Sequence, residues 1–151
     1  SQHLRVVNLD KYNGRLSDIT AFHCTKDEWV PKIAEMTHLK ELTLKGLKTD
    51  SFPAIVNKFE LQTLRIDECR KLKNIDEGLI YLNQLSLRSC LSLKGVSQLV
   101  QKQSWMHKLY IVNMDLTANE QRAILNKVKT AVISGSARSA DYELQEEIDG
   151  F

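Results

Sequence analysis

Apolar and polar residues alternate in the same way in five short stretches of the chain. Each stretch has apolar residues at its first, fourth and sixth positions, and their starts lie 23, 22, 21 and 24 residues apart. This alternation predicts short strands with one apolar face. A period of about 20–29 residues predicts strand-plus-return units that stack side by side. The five copies are Leu16-x-x-Ile19-x-Ala21, Leu39-x-x-Leu42-x-Leu44, Leu61-x-x-Leu64-x-Ile66, Leu82-x-x-Leu85-x-Leu87 and Met106-x-x-Leu109-x-Ile111.

A further apolar position follows each copy, eight residues after its start. It is occupied by Cys24, Leu47, Cys69, Cys90 and Met114. We expect these side chains to be buried beneath the turn that ends each strand. With this position included, the chain resembles the leucine-rich repeat family over residues 16 to 133. The resemblance implies an α/β fold: a short solenoid of about five repeats, with a parallel concave sheet and helical or irregular convex returns.

The return segments resemble two branches of that family. Val30-Pro31-x-Ile33 and Phe52-Pro53-x-Ile55 are similar to the returns of plant intracellular immune receptors. Cys90-Leu-Ser-Leu93 is similar to the cysteine-containing repeats of F-box proteins, with a helix expected near residues 95–104. Thr25-Lys-Asp-Glu28 predicts a capping box before a helix that Pro31 limits. The repeat subtype is therefore mixed.

Both ends of the repeat domain, residues 1–133, need a cap because stacking exposes apolar edges. Asn13-Gly14 favours a hairpin turn, so we expect an antiparallel hairpin cap within residues 1–20; a truncated earlier repeat is the alternative. Thr117-x-x-Glu120 predicts a capping box and a closing helix over residues 117–133. Residues 134–151 lose the pattern, and we expect them to form an acidic mobile tail.

Composition indicates which classes of partner and which cellular compartment are compatible with this chain. The chain has 151 residues, a size typical of one domain, and a net charge of +2 with interleaved signs, which disfavours nucleic-acid binding. No apolar run is long enough to span a membrane. Three cysteines, an odd number, and the lack of an Asn-x-Ser/Thr acceptor favour an intracellular, cytoplasmic location. The chain begins without Met, so we expect it to belong to a longer chain or a larger complex.

The sequence offers little for catalysis. His23 and Cys24 are adjacent, but neighbouring strand residues point to opposite faces and cannot form a nucleophile–base pair. The other His and Cys residues lack zinc-site spacing. We therefore expect no catalytic centre, no metal site and no cofactor. Trp29 and Trp105 are expected to fill the core at repeat edges, with a binding anchor on the convex side as the alternative.

The polar residues between the apolar ones are the candidates for binding. Alternation places them in columns on the sheet face away from the core, with Asp18, Thr20 and Phe22 as the first copy's members. The partner-binding residues that we predict from these columns are Glu41, Lys45, Arg65, Asp67, Arg88, Lys108 and Tyr110.

The repeat pattern and its polar columns predict a general class of function, which is the binding of a protein partner. We expect a non-catalytic protein–protein interaction module that binds a protein partner on its concave sheet face, as an adaptor or substrate-recognition subunit. The alternatives are a sensor fragment of an intracellular immune receptor, a scaffold attached to an enzyme domain, and a homo-oligomer formed through the chain's edges.

Overall fold

The protein is α/β, with a single sheet of seven parallel strands and few helices. The computed structural model describes residues 3–135. Strands follow one another across the sheet in chain order, so each strand pairs only with its neighbours in sequence. The strands are β1 (Arg5–Val6), β2 (Ala21–Cys24), β3 (Glu41–Lys45), β4 (Thr63–Asp67), β5 (Gln84–Arg88), β6 (Lys108–Val112) and β7 (Val132–Ser134).

The apolar positions of the pattern lie beside one another in the sheet and form the core. Along β3 to β6, each fourth-position residue pairs with the next, as do the sixth-position residues. All eight are at most 1% exposed. They are Leu42, Leu64, Leu85 and Leu109, and Leu44, Ile66, Leu87 and Ile111. The sheet therefore buries one continuous aliphatic face under the return segments.

A left-handed residue follows five successive strands, always two residues after the sixth position. Its φ lies between 52° and 66°. From β3 to β6, its backbone N–H donates to the carbonyl that ends the next strand, at 2.8–3.0 Å. Each turn is therefore held by the following strand. The residues are Gly46, Glu68, Ser89, Asn113 and Gly135.

The return segments carry short helices. A 3₁₀ helix, Asp27–Glu35, follows β2, while α1 (Val96–Gln101) and α2 (Ala118–Lys127) precede β6 and β7. Two further 3₁₀ turns, Leu9–Lys11 and Leu16–Asp18, lie between β1 and β2. The helix expected near 95–104 is present as α1. The capping box predicted at Thr25–Glu28 is wrong, because the cap residue of that 3₁₀ helix is Lys26 and no side chain bonds there.

The first copy of the pattern is displaced by three residues from our prediction. Phe22 pairs with Leu42 and Cys24 pairs with Leu44, so the copy is Ile19-x-x-Phe22-x-Cys24. The two frames share Ile19 and both show apolar alternation. The observed frame places Phe22 (2% exposed) in the core, whereas Leu16 is only partly buried. Burying the larger side chain favours this register.

The antiparallel hairpin expected within residues 1–20 is also wrong. β1 pairs with β2 in parallel, with Arg5 beside Ala21 and Val6 beside Phe22. The Leu4 carbonyl accepts hydrogen bonds from the N–H groups of Thr20 and Ala21 at 3.0 Å each. The segment therefore matches the alternative, a truncated earlier copy, and Asn13-Gly14 lies in the connection.

At the other end, the predicted capping box forms but the helix is shorter than expected. The Thr117 hydroxyl accepts from the Glu120 N–H (3.1 Å), and the Glu120 carboxylate accepts from the Thr117 N–H (3.0 Å). The helix ends at Lys127, and β7 pairs with β6. The predicted helix over 117–133 was too long because the strand completes another copy, Val128-x-x-Ala131-x-Ile133. The acidic tail predicted over 134–151 lies outside the described residues, apart from Ser134 and Gly135.

Candidate functional site

The sheet face opposite the core carries the candidate binding residues. We call it the open face. It consists of the odd-position side chains of the copies, which alternate with the buried apolar ones. All seven predicted residues lie at these positions in β3 to β6. The open-face residues are Arg5, Ala21, His23, Glu41, Thr43, Lys45, Thr63, Arg65, Asp67, Gln84, Ser86, Arg88, Lys108, Tyr110, Val112, Val132 and Ser134.

The shifted first copy changes the N-terminal part of this face. Ala21 and His23 pair with Glu41 and Thr43, so they take the places that we had assigned to Asp18 and Thr20. The prediction for Phe22 is wrong, because that side chain is in the core.

Two ion pairs occupy the margins of the open face. Arg5 on β1 donates to the Glu41 carboxylate at 2.9 Å, a partner that the predicted hairpin had hidden. Arg88 Nε lies 3.8 Å from Asp67 Oδ1, which is too long for a hydrogen bond. That oxygen is buried and has no hydrogen-bond partner among the described residues. The Asp67–Arg88 pair is therefore close but incompletely satisfied.

Three other basic residues on the open face have no ion-pair partner among residues 3–135: Lys45, Arg65 and Lys108. The strands present five basic side chains there against two acidic ones, a net excess of three positive charges. Partial burial lowers the pKa of His23, and the nearby Lys45 and Arg5 lower it further. A lowered pKa favours the neutral form of the His23 imidazole. The open face is therefore positively charged, although the whole chain is nearly balanced.

The centre of this positive region is a shallow depression of about 160 Å³. Arg65, Ser86 and Tyr110 lie side by side on β4, β5 and β6, because each is the Cα partner of the next. Gln84 and Lys108 pair in the row beside them. The depression thus brings together three of the seven predicted residues: Arg65, Lys108 and Tyr110. The other four are outside its lining.

Exposed aromatic residues lie just before three of the strands, and exposure had been considered only for Trp105, as the alternative to a core role. Phe59 (67% exposed), Tyr81 (39%) and Trp105 (67%) each lie three or four residues before β4, β5 or β6. The rings of Phe59 and Tyr81 are 5.5 Å apart. The core role expected for Trp105 is wrong, whereas Trp29 is buried as expected. Trp105 differs because the predicted core position, Met106, directly follows it and takes the inward place.

The cysteines are buried and free. Burial raises the pKa of Cys24 and Cys90 to about 11 and also raises that of Cys69. Leu47, Cys69, Cys90 and Met114 occupy the predicted position beneath the turn, and all are at most 3% exposed. Cys24 does not, because the shifted register places it beside Leu44.

In the shifted frame the residue eight positions after the start of the first copy is Asp27, which is exposed instead of buried. Its carboxylate accepts hydrogen bonds from the N–H groups of Lys48 and Thr49 at 3.0–3.1 Å. A carboxylate therefore links the first unit to the return that follows β3.

Two larger depressions lie among the return segments. One, of about 550 Å³, is lined by residues 50–54 and 73–76; the other, of about 330 Å³, adjoins it and reaches α1. The larger one lies between loops and its lining mixes Asp50, Asp76 and Lys73. Neither contains any of the residues predicted to bind a partner.

No family model, curated protein or solved structure matches this chain. Within residues 3–135, no helix combines the length and the apolar character that crossing a membrane requires. The same part of the chain holds no group of three or more His, Cys, Asp or Glu side chains placed to bind a metal ion.

Proposed function

We propose that this protein is a non-catalytic protein–protein interaction module that binds a protein partner on its open face. The observation that carries this proposal is the central depression, where Arg65, Lys108 and Tyr110 come together on adjacent strands. Arg and Tyr are among the residues that supply most binding energy at interfaces. The exposed aromatic residues before β4 to β6 would extend the contact surface.

The backbone beneath these residues supports a binding role. β4, β5 and β6 are paired over five residues each, and their inward side chains are buried. A surface fixed in this way loses little conformational entropy when it binds. We further propose that the chain is a leucine-rich repeat-like solenoid whose open face is its concave side. In that family setting it would act as an adaptor or substrate-recognition subunit.

The arrangement of His23 and Cys24 favours this proposal over an enzyme. His23 lies on the open face, whereas Cys24 is fully buried in the core. Its thiol has a raised pKa and donates to the Lys26 carbonyl at 3.4 Å, so it is a poor nucleophile. Three buried free thiols also support a reducing, intracellular compartment for this protein.

The test is to block the open face without altering its charge. Ser86 lies at the centre of the depression, so Ser86→Trp should prevent docking of a partner. Tyr110→Ala provides a second variant that removes contact area instead of adding it. Asn126→Trp is the matched control, because Asn126 is exposed on α2, away from the sheet. Circular dichroism establishes that each variant is folded.

The measurement is quantitative mass spectrometry of the proteins that each variant of the 151-residue chain captures from a native lysate. The expected result is at least one protein that the wild type and Asn126→Trp retain and that both open-face variants lose. Equal capture by all four proteins would contradict the proposal.

A further inference from the structure

We propose that the central depression binds an acidic peptide segment of the partner, with one carboxylate at Arg65 and a second at Lys108. This inference rests on the proposed function and specifies the chemistry of the partner. Five polar side chains line the depression and none of them is acidic: Arg65, Gln84, Ser86, Lys108 and Tyr110.

These side chains leave their hydrogen-bonding groups to solvent or a ligand in the part of the chain that the structure describes. Within residues 3–135, none of the five makes a side-chain hydrogen bond or an ion pair. In contrast, Arg5 and Arg88 at the margins lie beside carboxylates. Two basic groups with three neutral donors and no internal anion complement a negatively charged ligand. Within residues 3–135, two of the basic groups at the margins of the open face therefore lie beside carboxylates, whereas neither basic group of the depression does.

The separation of the two basic residues indicates a peptide rather than a single small anion. Arg65 and Lys108 lie on β4 and β6, with β5 between them, and Lys108 is two residues out of register with Arg65, so their Cα atoms are roughly 12 Å apart. In an extended polyproline II segment, residues i and i+3 lie on the same side at about 9 Å. A segment with carboxylates three residues apart, crossing the strands obliquely, would place one at each basic group, because the long arginine and lysine side chains can close the remaining distance of roughly 3 Å. Tyr110 and Ser86 would contact the backbone between them.

The probe is a ten-residue peptide, blocked at both ends, with two glutamates three residues apart in a Gly/Ser background. A peptide with glutamine at both places is the control for charge. Each is titrated into the full chain, and backbone amide chemical shifts are followed by NMR. We expect saturable shifts at residues 65, 86 and 110 with the acidic peptide only. Rising ionic strength should weaken binding, since the depression is open to solvent.

Variants test the two basic groups separately. Arg65→Gln and Lys108→Gln should each raise the Kd of the acidic peptide by about fivefold, the effect of one exposed ion pair. Arg65→Lys keeps the charge and should stay within about twofold of the wild type. Lys32→Gln removes the same charge from the exposed return after β2 and should leave the Kd unchanged.

Four outcomes would overturn the inference. The first is equal binding of the glutamine peptide, and the second is chemical-shift changes spread over all exposed basic residues. The third is competition by an equal concentration of inorganic phosphate, which would indicate a site for a single anion. The fourth outcome is peptide binding that appears only in the variant Glu143→Gln/Glu146→Gln. It would mean that acidic residues of this chain, and not of a partner, occupy the depression. The blocking variants distinguish these failures from failure of the proposed function, because Ser86→Trp acts whatever the ligand's charge.

Discussion

Leu64 and Arg65 are consecutive in β4, yet the first is fully buried and the second is exposed on the open face. Leu64→Ala should lower the free energy of unfolding by about 2–5 kcal/mol, because it leaves a cavity between Leu42 and Leu85. Arg65→Ala should change it by less than about 0.5 kcal/mol. Urea denaturation followed by circular dichroism measures both. Similar losses for the two variants would contradict the assignment of faces.

The two tryptophans provide a second matched pair. Trp29 packs against Phe22, with ring centroids 6.0 Å apart, and its indole N–H donates to Asp10 at 2.9 Å. Trp29→Ala should therefore cost about 3–5 kcal/mol. Trp105 is 67% exposed, so Trp105→Ala should cost less than about 0.5 kcal/mol.

The same denaturation experiment checks this pair, and fluorescence adds an independent reading. Acrylamide should quench the emission of Trp105 much more strongly than that of Trp29 in the single-tryptophan variants. Equal quenching would place Trp105 in the core, as the sequence had led us to expect.

A left-handed backbone at a non-glycine residue provides a stabilising substitution. Glu68 has φ 53° and is exposed, whereas the equivalent residue after β3 is Gly46. Glu68→Gly should raise the free energy of unfolding by up to about 1 kcal/mol, because glycine adopts this conformation without a steric cost. Glu68→Ala removes the same side chain but keeps the Cβ, so it should bring no such gain. A gain of equal size in both variants would assign the effect to the carboxylate instead.

The buried thiols should be unreactive in the folded protein. With a pKa of about 11, only about one Cys24 or Cys90 thiol in a thousand is ionised at pH 8. Burial limits the access of reagents further. Ellman's reagent at pH 8 should therefore modify less than one thiol per native chain in the time in which three react in guanidinium chloride. Rapid modification of one native thiol would indicate a reactive cysteine.

The sequence was sufficient to predict most of the sheet. From Leu39 to Ile111 the apolar residues occur in one frame only, so the observed register follows from the alternation. The first copy was ambiguous, because Ile19 fits two frames. The last copy, Val128-x-x-Ala131-x-Ile133, was not recognised. Val128 and Ala131 are three residues apart, a spacing that fits a helix as well as the repeat, and α2 directly precedes them.

The site was predictable only in part. Strand alternation identifies which residues lie on the open face, and it placed Arg65 and Tyr110 there. Strand alternation does not specify which charged side chains pair across strands. Arg5, the ion-pair partner of Glu41, was missed because its strand, β1, was not predicted to lie parallel to β2. Nor does it distinguish an inward tryptophan from an outward one in an irregular return, which is why Trp105 was misassigned.

The hydrogen bonds of the left-handed turns bear on how the chain folds during synthesis. The N–H of Asn113 donates to Ser134, which lies 21 residues later, and the earlier turns reach ahead over similar distances. Every strand pairing likewise joins consecutive strands, 16–24 residues apart along the chain, so no contact in the sheet needs a distant segment to arrive first. On the ribosome, each unit could therefore assemble vectorially, but its exit turn would stay open until the following strand had emerged.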